Sequence, residues 1–401
     1  MEYITVREAA EKWQISQRLV QQHCTSGRIQ GAKKFGASWA IPADAEKPAD
    51  PRAGTQPHSP VPSQRPSVLT QLQTPLPLMN ASFAPGHCLE YAQSLSDPDQ
   101  RAIALAEFYY FSGRPEEAAQ TVTRYLVHPD PVLRLSACLL YAYSNLSLGQ
   151  PQLVQRSLSE LQRFLTSGEA VTPQLQAVAG FISATAAVLL HLPLPQEVAS
   201  LQEYLRLLPP GLQMFALYVQ AHHAYLQGNY SQSLGIAETA LLMQQEVFPI
   251  PTIYMHLVAV MDYMSLKDPD KAQAHLLEAW DLARPDDLIE GFGEHHGLLG
   301  GMLEAVIKKD WPEDFKRIIA ITYRFSAGWR QIHNPTTGHD VADNLTTTEF
   351  VTAMLAARGW TNQEIAEHLS ISPNTVKQYI SSTLQKLNIR QRKDLKSRML
   401  R

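Results

Sequence analysis

The chain has 401 residues and a net charge of −4, long enough for two or three domains, with no apolar run of the roughly 18 residues that a membrane span needs. Its charge is unevenly placed. Residues 1–52 hold eight Lys/Arg against six Asp/Glu and residues 345–401 hold nine against four, which leaves the middle at −11. Basic ends suit contact with polyanions and an acidic middle does not. Cys24, Cys88 and Cys138 are far apart, odd in number and form no CxxC, so free thiols in a reducing cytoplasm are expected rather than a disulfide framework. The start, MEYITVREAA, has neither a basic leader nor an apolar stretch, and no secretion signal is expected.

In chain order, Thr5 with Glu8 is a capping box, and Val6, Ala9, Ala10 and Trp13 give the first helix an apolar face. A turn at Gln14-Ile15 leads to Ser16, the expected cap of a second helix over Gln17–Cys24, and Gly27 stops it. GRIQGAKKFGASWAIP then reads as a hairpin, with Gly36 in its turn and Trp39 and Ile41 as anchors. Gln17, Arg18, Gln21 and Gln22 fall on the solvent face of the second helix, and Lys33 and Lys34 on the hairpin. YITVREAAEKW with GAKKFGASWAIP resembles the excisionase/MerR-like winged-helix domains, over residues 1–50. The resemblance implies DNA contact by those six side chains; a plain helical cap on the neighbouring domain is the alternative.

Ten of the 27 prolines fall between Pro42 and Pro85, with Gln, Ser and Thr and almost no aromatics. Such a composition buries too little apolar surface to offset its ordering entropy, so residues 51–85 read as a flexible tether. Residues 86–335 are helical by pattern. Five helix–turn–helix junctions recur, FYYFSGRPEEAAQ, SNLSLGQPQLVQR, VLLHLPLPQEVAS, HAYLQGNYSQSLG and YMSLKDPDKAQAH. Their turns, at Gly113, Gly149, His191, Gly228 and Asp268, lie 36, 42, 37 and 40 residues apart. That spacing resembles a degenerate tetratricopeptide array. The resemblance implies helix pairs stacked into a solenoid with a concave binding face, closed by a final helix over residues 311–335. An irregular helical bundle is the other reading.

At the carboxyl end, Thr361 and Glu364 form a capping box, Ser372 caps the next helix, and Pro373 takes its first position. Ile365, Ala366 and Leu369 make one apolar stripe; Val376, Ile380, Leu384 and Leu387 make the other. Asn374, Lys377, Gln378, Ser381 and Gln385 are left on a polar face able to reach base edges or phosphates of double-stranded DNA. LTTTEF, GWTNQEIAEHLSISPNTVKQYISSTLQKLNI and RQRKDL resemble the LuxR-type (GerE-like) helix-turn-helix of bacterial transcription regulators, over residues 345–401. The resemblance implies four helices, the third in the major groove and the fourth available for a homodimer contact. It places Lys377, Gln378 and Ser381 toward bases, and Asn374, Thr375, Lys386, Arg390 and Arg392 toward phosphates. Tyr379 stands where the family usually has His, and Ser381 where a basic residue is common, so the resemblance implies the fold but not the operator sequence.

A mainly α chain is therefore expected, with a small winged unit, a central helical array and a terminal helix-turn-helix. A LuxR-type domain after such repeats resembles the large MalT-like regulators, which carry an ATP-binding module. No G-x-x-x-x-G-K-[ST] is present, and no receiver domain precedes the array, so neither ATP hydrolysis nor aspartyl phosphorylation is expected. The adjacent pairs His222-His223 and His295-His296 are poor chelates, no G-x-S-x-G or H-E-x-x-H occurs, and no metal, cofactor or enzymatic activity is expected. The expected role is DNA-binding regulation, with a peptide, protein or small-molecule effector on the helical array. An interaction scaffold and a recombination accessory protein are the alternatives.

Overall fold

The structure, a computed structural model, describes residues 3–13, 17–25, 29, 31–35, 38–43, 45, 47, 73–196, 198, 200–333 and 345–399. The chain divides into two compact units, residues 1–70 and 71–401.

The first unit holds β1 (Tyr3–Thr5), α1 (Val6–Trp13), α2 (Gln17–Thr25), β2 (Lys33–Phe35) and β3 (Ser38–Pro42). The capping box forms as expected: the Thr5 N–H donates to Glu8 Oε2 at 2.8 Å, and the Glu8 N–H to Thr5 Oγ1 at 3.3 Å. Ala9, Ala10, Trp13, Val20, Cys24 and Ile41 share one small core. The sheet order is β1-β3-β2, antiparallel throughout, with Ile4 opposite Ile41 and Lys34 opposite Trp39. The sequence reading anticipated only the hairpin; β1 is three residues long, too short for alternation to show. The expected roles of Gln14, Ile15, Ser16, Gly27 and Gly36 lie outside the described residues.

The second unit begins with a correction to the tether. Leu76, Leu78, Met79 and Ala81, placed by composition in the flexible stretch, are buried. Pro75 and Pro77 have no N–H to satisfy. The N–H groups of Leu78 and Met79 both donate to the Glu107 carboxylate, at 2.9 and 2.8 Å. Residues 73–85 are thus a packed lead-in, a pairing that proline content alone cannot reveal.

Helices follow in order: α3 (Cys88–Ser94), α4 (Pro98–Phe111), α5 (Pro115–Val122), α6 (Pro131–Ser147), α7 (Pro151–Thr166), α8 (Pro173–Leu189), α9 (Leu201–Tyr204), α10 (Pro210–Leu226), α11 (Tyr230–Met243), α12 (Pro249–Ser265) and α13 (Pro269–Ala283). Proline opens most of them, its fixed φ suiting the first helical position. Gly113, Gly149, His191 and Gly228, the expected turn residues, all have positive φ. The fifth such residue is Lys267, one place before the expected Asp268, which instead caps α13 by accepting from the Lys271 N–H. The third junction departs further. Pro193 and Pro195 follow His191, and the next helix described begins at Leu201.

The first helices of the pairs, α4, α6, α8, α10 and α12, each pack on the next. Two later elements, α14 (Glu290–Glu294) and α16 (Pro312–His333), turn back onto α4 and α6, with α15 (Lys308–Asp310) just before α16. Trp280, fully buried, meets Phe292 edge-on at 5.3 Å and Trp311 at 5.7 Å. Burying one such ring is worth about 2–3 kcal/mol. Tyr110 of α4 and Tyr254 of α12 both donate to Glu294, the latter at 2.9 Å. Glu294 of α14 thus bridges the first pair of helices and the last. The chain ends in α17 (Thr347–Ala357), α18 (Asn362–Leu369), α19 (Pro373–Lys386) and α20 (Leu395–Met399). No described helix is long and apolar enough to cross a membrane, and no described trio of His, Cys, Asp or Glu could hold a metal.

Candidate nucleic-acid interface

The last four helices follow from local signals. Thr346 caps α17, with its N–H donating to Glu349 Oε2 at 2.7 Å and the Glu349 N–H returning to Thr346 Oγ1 at 3.3 Å. The Thr361 and Glu364 pair does the same for α18. Ser370, in the left-handed conformation, ends α18, and Ser372 Oγ accepts from the Thr375 N–H at 3.0 Å to start α19. A three-residue turn separates the two helices, as expected.

Packing then decides which face of α19 is free. Val376, Ile380 and Leu387 are buried with Ile365, Ala366 and Val351, while Leu369 and Leu384 are only half-buried. Asn374, Lys377, Gln378, Ser381 and Gln385 are exposed along one side. Thr375 is half-buried, its hydroxyl 2.8 Å from that of Ser372. Tyr379 is half-buried and Arg390 is exposed.

Two residues that the resemblance placed on phosphates have other partners here. Lys386 Nζ donates to both oxygens of Glu349, at 2.9 and 2.7 Å, and Ser382 Oγ joins at 2.6 Å. Burial works against the Glu349 charge, yet these donors prevail and hold its carboxyl at about 2. The pair bolts α19 to α17. Arg392 donates to Asn362 Oδ1 and to the Trp360 carbonyl, and its burial depresses its own pKa. Both cations are tied into the domain frame.

Sequence reasoning missed how the opposite side of this domain is held. Arg358, just past α17, donates through Nη2 to Tyr225 Oη at 2.7 Å and to the Leu298 carbonyl at 2.5 Å. Trp360 Nε1 donates to the Met264 carbonyl at 3.4 Å, and Lys267 Nζ to the Gly359 carbonyl at 2.8 Å. The His368 Nε2 is 3.1 Å from the Gly300 carbonyl and must donate. Close approach here demands glycine: a Cβ on Gly301, at φ 82°, would stand 2.8 Å from Val351 Cγ1. The terminal helices and the helical region thus form one compact unit. The Gly-Gly pair at 300–301 was the visible hint, but no pattern names its partner.

In the first unit, Gln17, Gln21, Lys33 and Lys34 are exposed. Lys33 lies 5.9 Å from the Tyr3 ring centroid and Lys34 5.9 Å from that of Trp39. The expected contacts of Arg18 and Gln22 concern side chains outside the described set.

Two helices joined by a three-residue turn, the second presenting an exposed amide, hydroxyl and amine row, make a helix-turn-helix that can enter a major groove. The family described as "Bacterial regulatory proteins, luxR family" matches residues 343–399. That stretch is a luxR-family helix-turn-helix domain, the DNA-binding part of a class of transcription regulators. No curated protein and no solved structure matches the chain.

Proposed function

We propose that the chain is a transcription regulator in which the helical region senses an effector and governs DNA binding by residues 345–401. The observation that carries this reading is the division of labour on the terminal helices. The α19 row Asn374, Lys377, Gln378, Ser381 and Gln385 is exposed, while Arg358, Trp360 and His368 grip the helical region. A reader so anchored changes its setting when its anchor changes.

In this reading Lys377, Gln378 and Ser381 meet base edges, and Asn374, Thr375 and Arg390 meet phosphates. Lys386 and Arg392, engaged with Glu349 and with Asn362, shape the helix rather than neutralise DNA. Gln17, Arg18, Gln21, Gln22, Lys33 and Lys34 supply a second contact through the winged unit. Two contacts on one chain raise affinity through effective concentration when both are engaged. A homodimer through α20 would pair two half-sites.

Selection of bound sequences from random duplex DNA tests the reading, using the full chain and its Lys377→Ala/Gln378→Ala variant. A consensus for the full chain that the variant loses is expected. A pool that stays random for the full chain sinks the assignment.

A further inference from the structure

Between the helical region and α17 lies a cavity of about 230 Å³. Leu189, His222, Gly293 and Thr322 line one side, and Phe350 and Met354 of α17 line the other. Among the described buried polar atoms of this lining, Nε2 of His222 is left without a partner, in a residue only 2% exposed.

A chain of hydrogen bonds determines what that atom offers, with protons assigned from the network. His295 Nδ1 lies 2.7 Å from the Gly291 carbonyl, which can only accept, so Nδ1 carries a proton. Burial pushes His295 down to about 4, so its ring is neutral and its Nε2 is a lone pair. Tyr218 Oη, 2.8 Å from that Nε2, must donate to it. The Tyr218 oxygen is then the acceptor for His222 Nδ1, 3.4 Å away. Burial, with His295, His191 and His223 nearby, holds His222 well below the usual imidazole range. Its single proton is therefore on Nδ1, and Nε2 is left as a bare acceptor on a residue that lines the cavity.

Three other polar side chains of the lining are engaged. Glu294 accepts from Tyr110 and Tyr254, Thr322 Oγ1 donates to the Gly293 carbonyl at 3.2 Å, and His296 pairs with Glu304 at 2.8 Å. The described lining contains no Lys or Arg to match an anion. Its volume corresponds to about eight waters, or one compact organic molecule.

We infer that this cavity binds a small, neutral, largely apolar molecule carrying one O–H or N–H donor, chemically an alcohol or phenol, with the donor on His222 Nε2 and the hydrocarbon against Phe350 and Met354. The inference rests on the sensing role above and says which chemistry is sensed. The occupant touches the helix that ends at Arg358 and whose Glu349 holds Lys386 of α19. Phe350 is also seated hard on the helical region: a Cβ on Gly297 would lie 2.2 Å from Phe350 Cε1. Filling the cavity therefore presses on the seat of the DNA reader.

Calorimetric titration of the full chain with phenol, and with toluene as the same shape lacking the donor, tests the site. Phenol should bind saturably and at least about tenfold tighter than toluene, because toluene leaves the buried acceptor unmet. His222→Phe should bring the two ligands level. Equal affinities in the natural protein, or no saturable phenol binding, overturn the assignment without recourse to the variant. DNA affinity of the same preparation, measured on a selected duplex, should change at least about fivefold with phenol bound. Phenol binding with DNA affinity unchanged removes the regulatory role. Loss of DNA binding without any ligand would instead defeat the proposed function, so the two failures are distinguishable.

Discussion

The helical region and the terminal helix-turn-helix treat buried acids in opposite ways. In the terminal domain, Glu349 is surrounded by Lys386, Ser382 and the Thr346 N–H, and against its burial these hold it at about 2. In the helical region, burial prevails and lifts Glu107, Asp262 and Glu290 to about 8, with Glu294 adding repulsion at Glu290. A paired carboxylate fastens one helix to another while staying charged. One whose donors do not outweigh its burial is held neutral, as a hydrogen-bonding group inside a core. The frame is thus electrostatic at the terminal helices and depends on packing in the helical region.

The joint between the two regions should break most severely. Arg358→Ala removes two donor contacts to Tyr225 and Leu298 and the cation that faces Asp262. A loss of about 3 kcal/mol is expected, with one melting transition splitting into two by calorimetry. A single unshifted transition would show that the regions are not coupled through this residue. Next in size is Lys386→Ala, which leaves Glu349 buried and short of its cation. About 2 kcal/mol should go, and acid sensitivity with it, read as a flatter stability curve below pH 4.5.

The pH response sharpens the contrast further. Carboxyls raised above their unfolded values contribute stability that is complete below about 4.5 and fades as pH rises through about 8. The lowered histidines act oppositely: His256 and His295, at about 4, stabilise above 6.5, and that is lost as pH falls. Glu349 likewise helps above 4.5 and ceases to help near 2. Melting temperature should therefore drop between pH 7 and pH 9, and Glu290→Gln should shrink that drop. A drop of equal size in the variant would place the alkaline loss elsewhere. The smallest effect is expected at Thr361→Ala, about 1 kcal/mol from a lost cap, measured by urea unfolding.

Legibility followed the range of the interaction. Caps at Thr361 and Ser372, the stripe Val376 and Ile380, and the left-handed turns at Gly113 and Gly228 were readable because each depends on residues within a few positions. The packed lead-in at Leu78, the return of α14 onto α4, and the grip of Arg358 on Tyr225 were not. Their partners lie 29 to 133 positions away in the cases of Leu78–Glu107 and Arg358–Tyr225, and no periodicity encodes that distance. The same limit applies at Lys386: the resemblance implies a phosphate contact, and only the fold reveals that Glu349 lies within reach of its amine.

The exposed row of α19 is proposed to read DNA. Binding of the full chain to a selected duplex, followed by fluorescence anisotropy across salt concentrations, tests it most directly with Gln378→Ala beside Arg390→Ala. Gln378→Ala should cost about 1–3 kcal/mol and relax preference at one base position, while Arg390→Ala should weaken all sequences alike and reduce the salt slope by about 1. Unaltered affinity and base preference in Gln378→Ala, with the salt slope of Arg390→Ala unchanged, would contradict the claim.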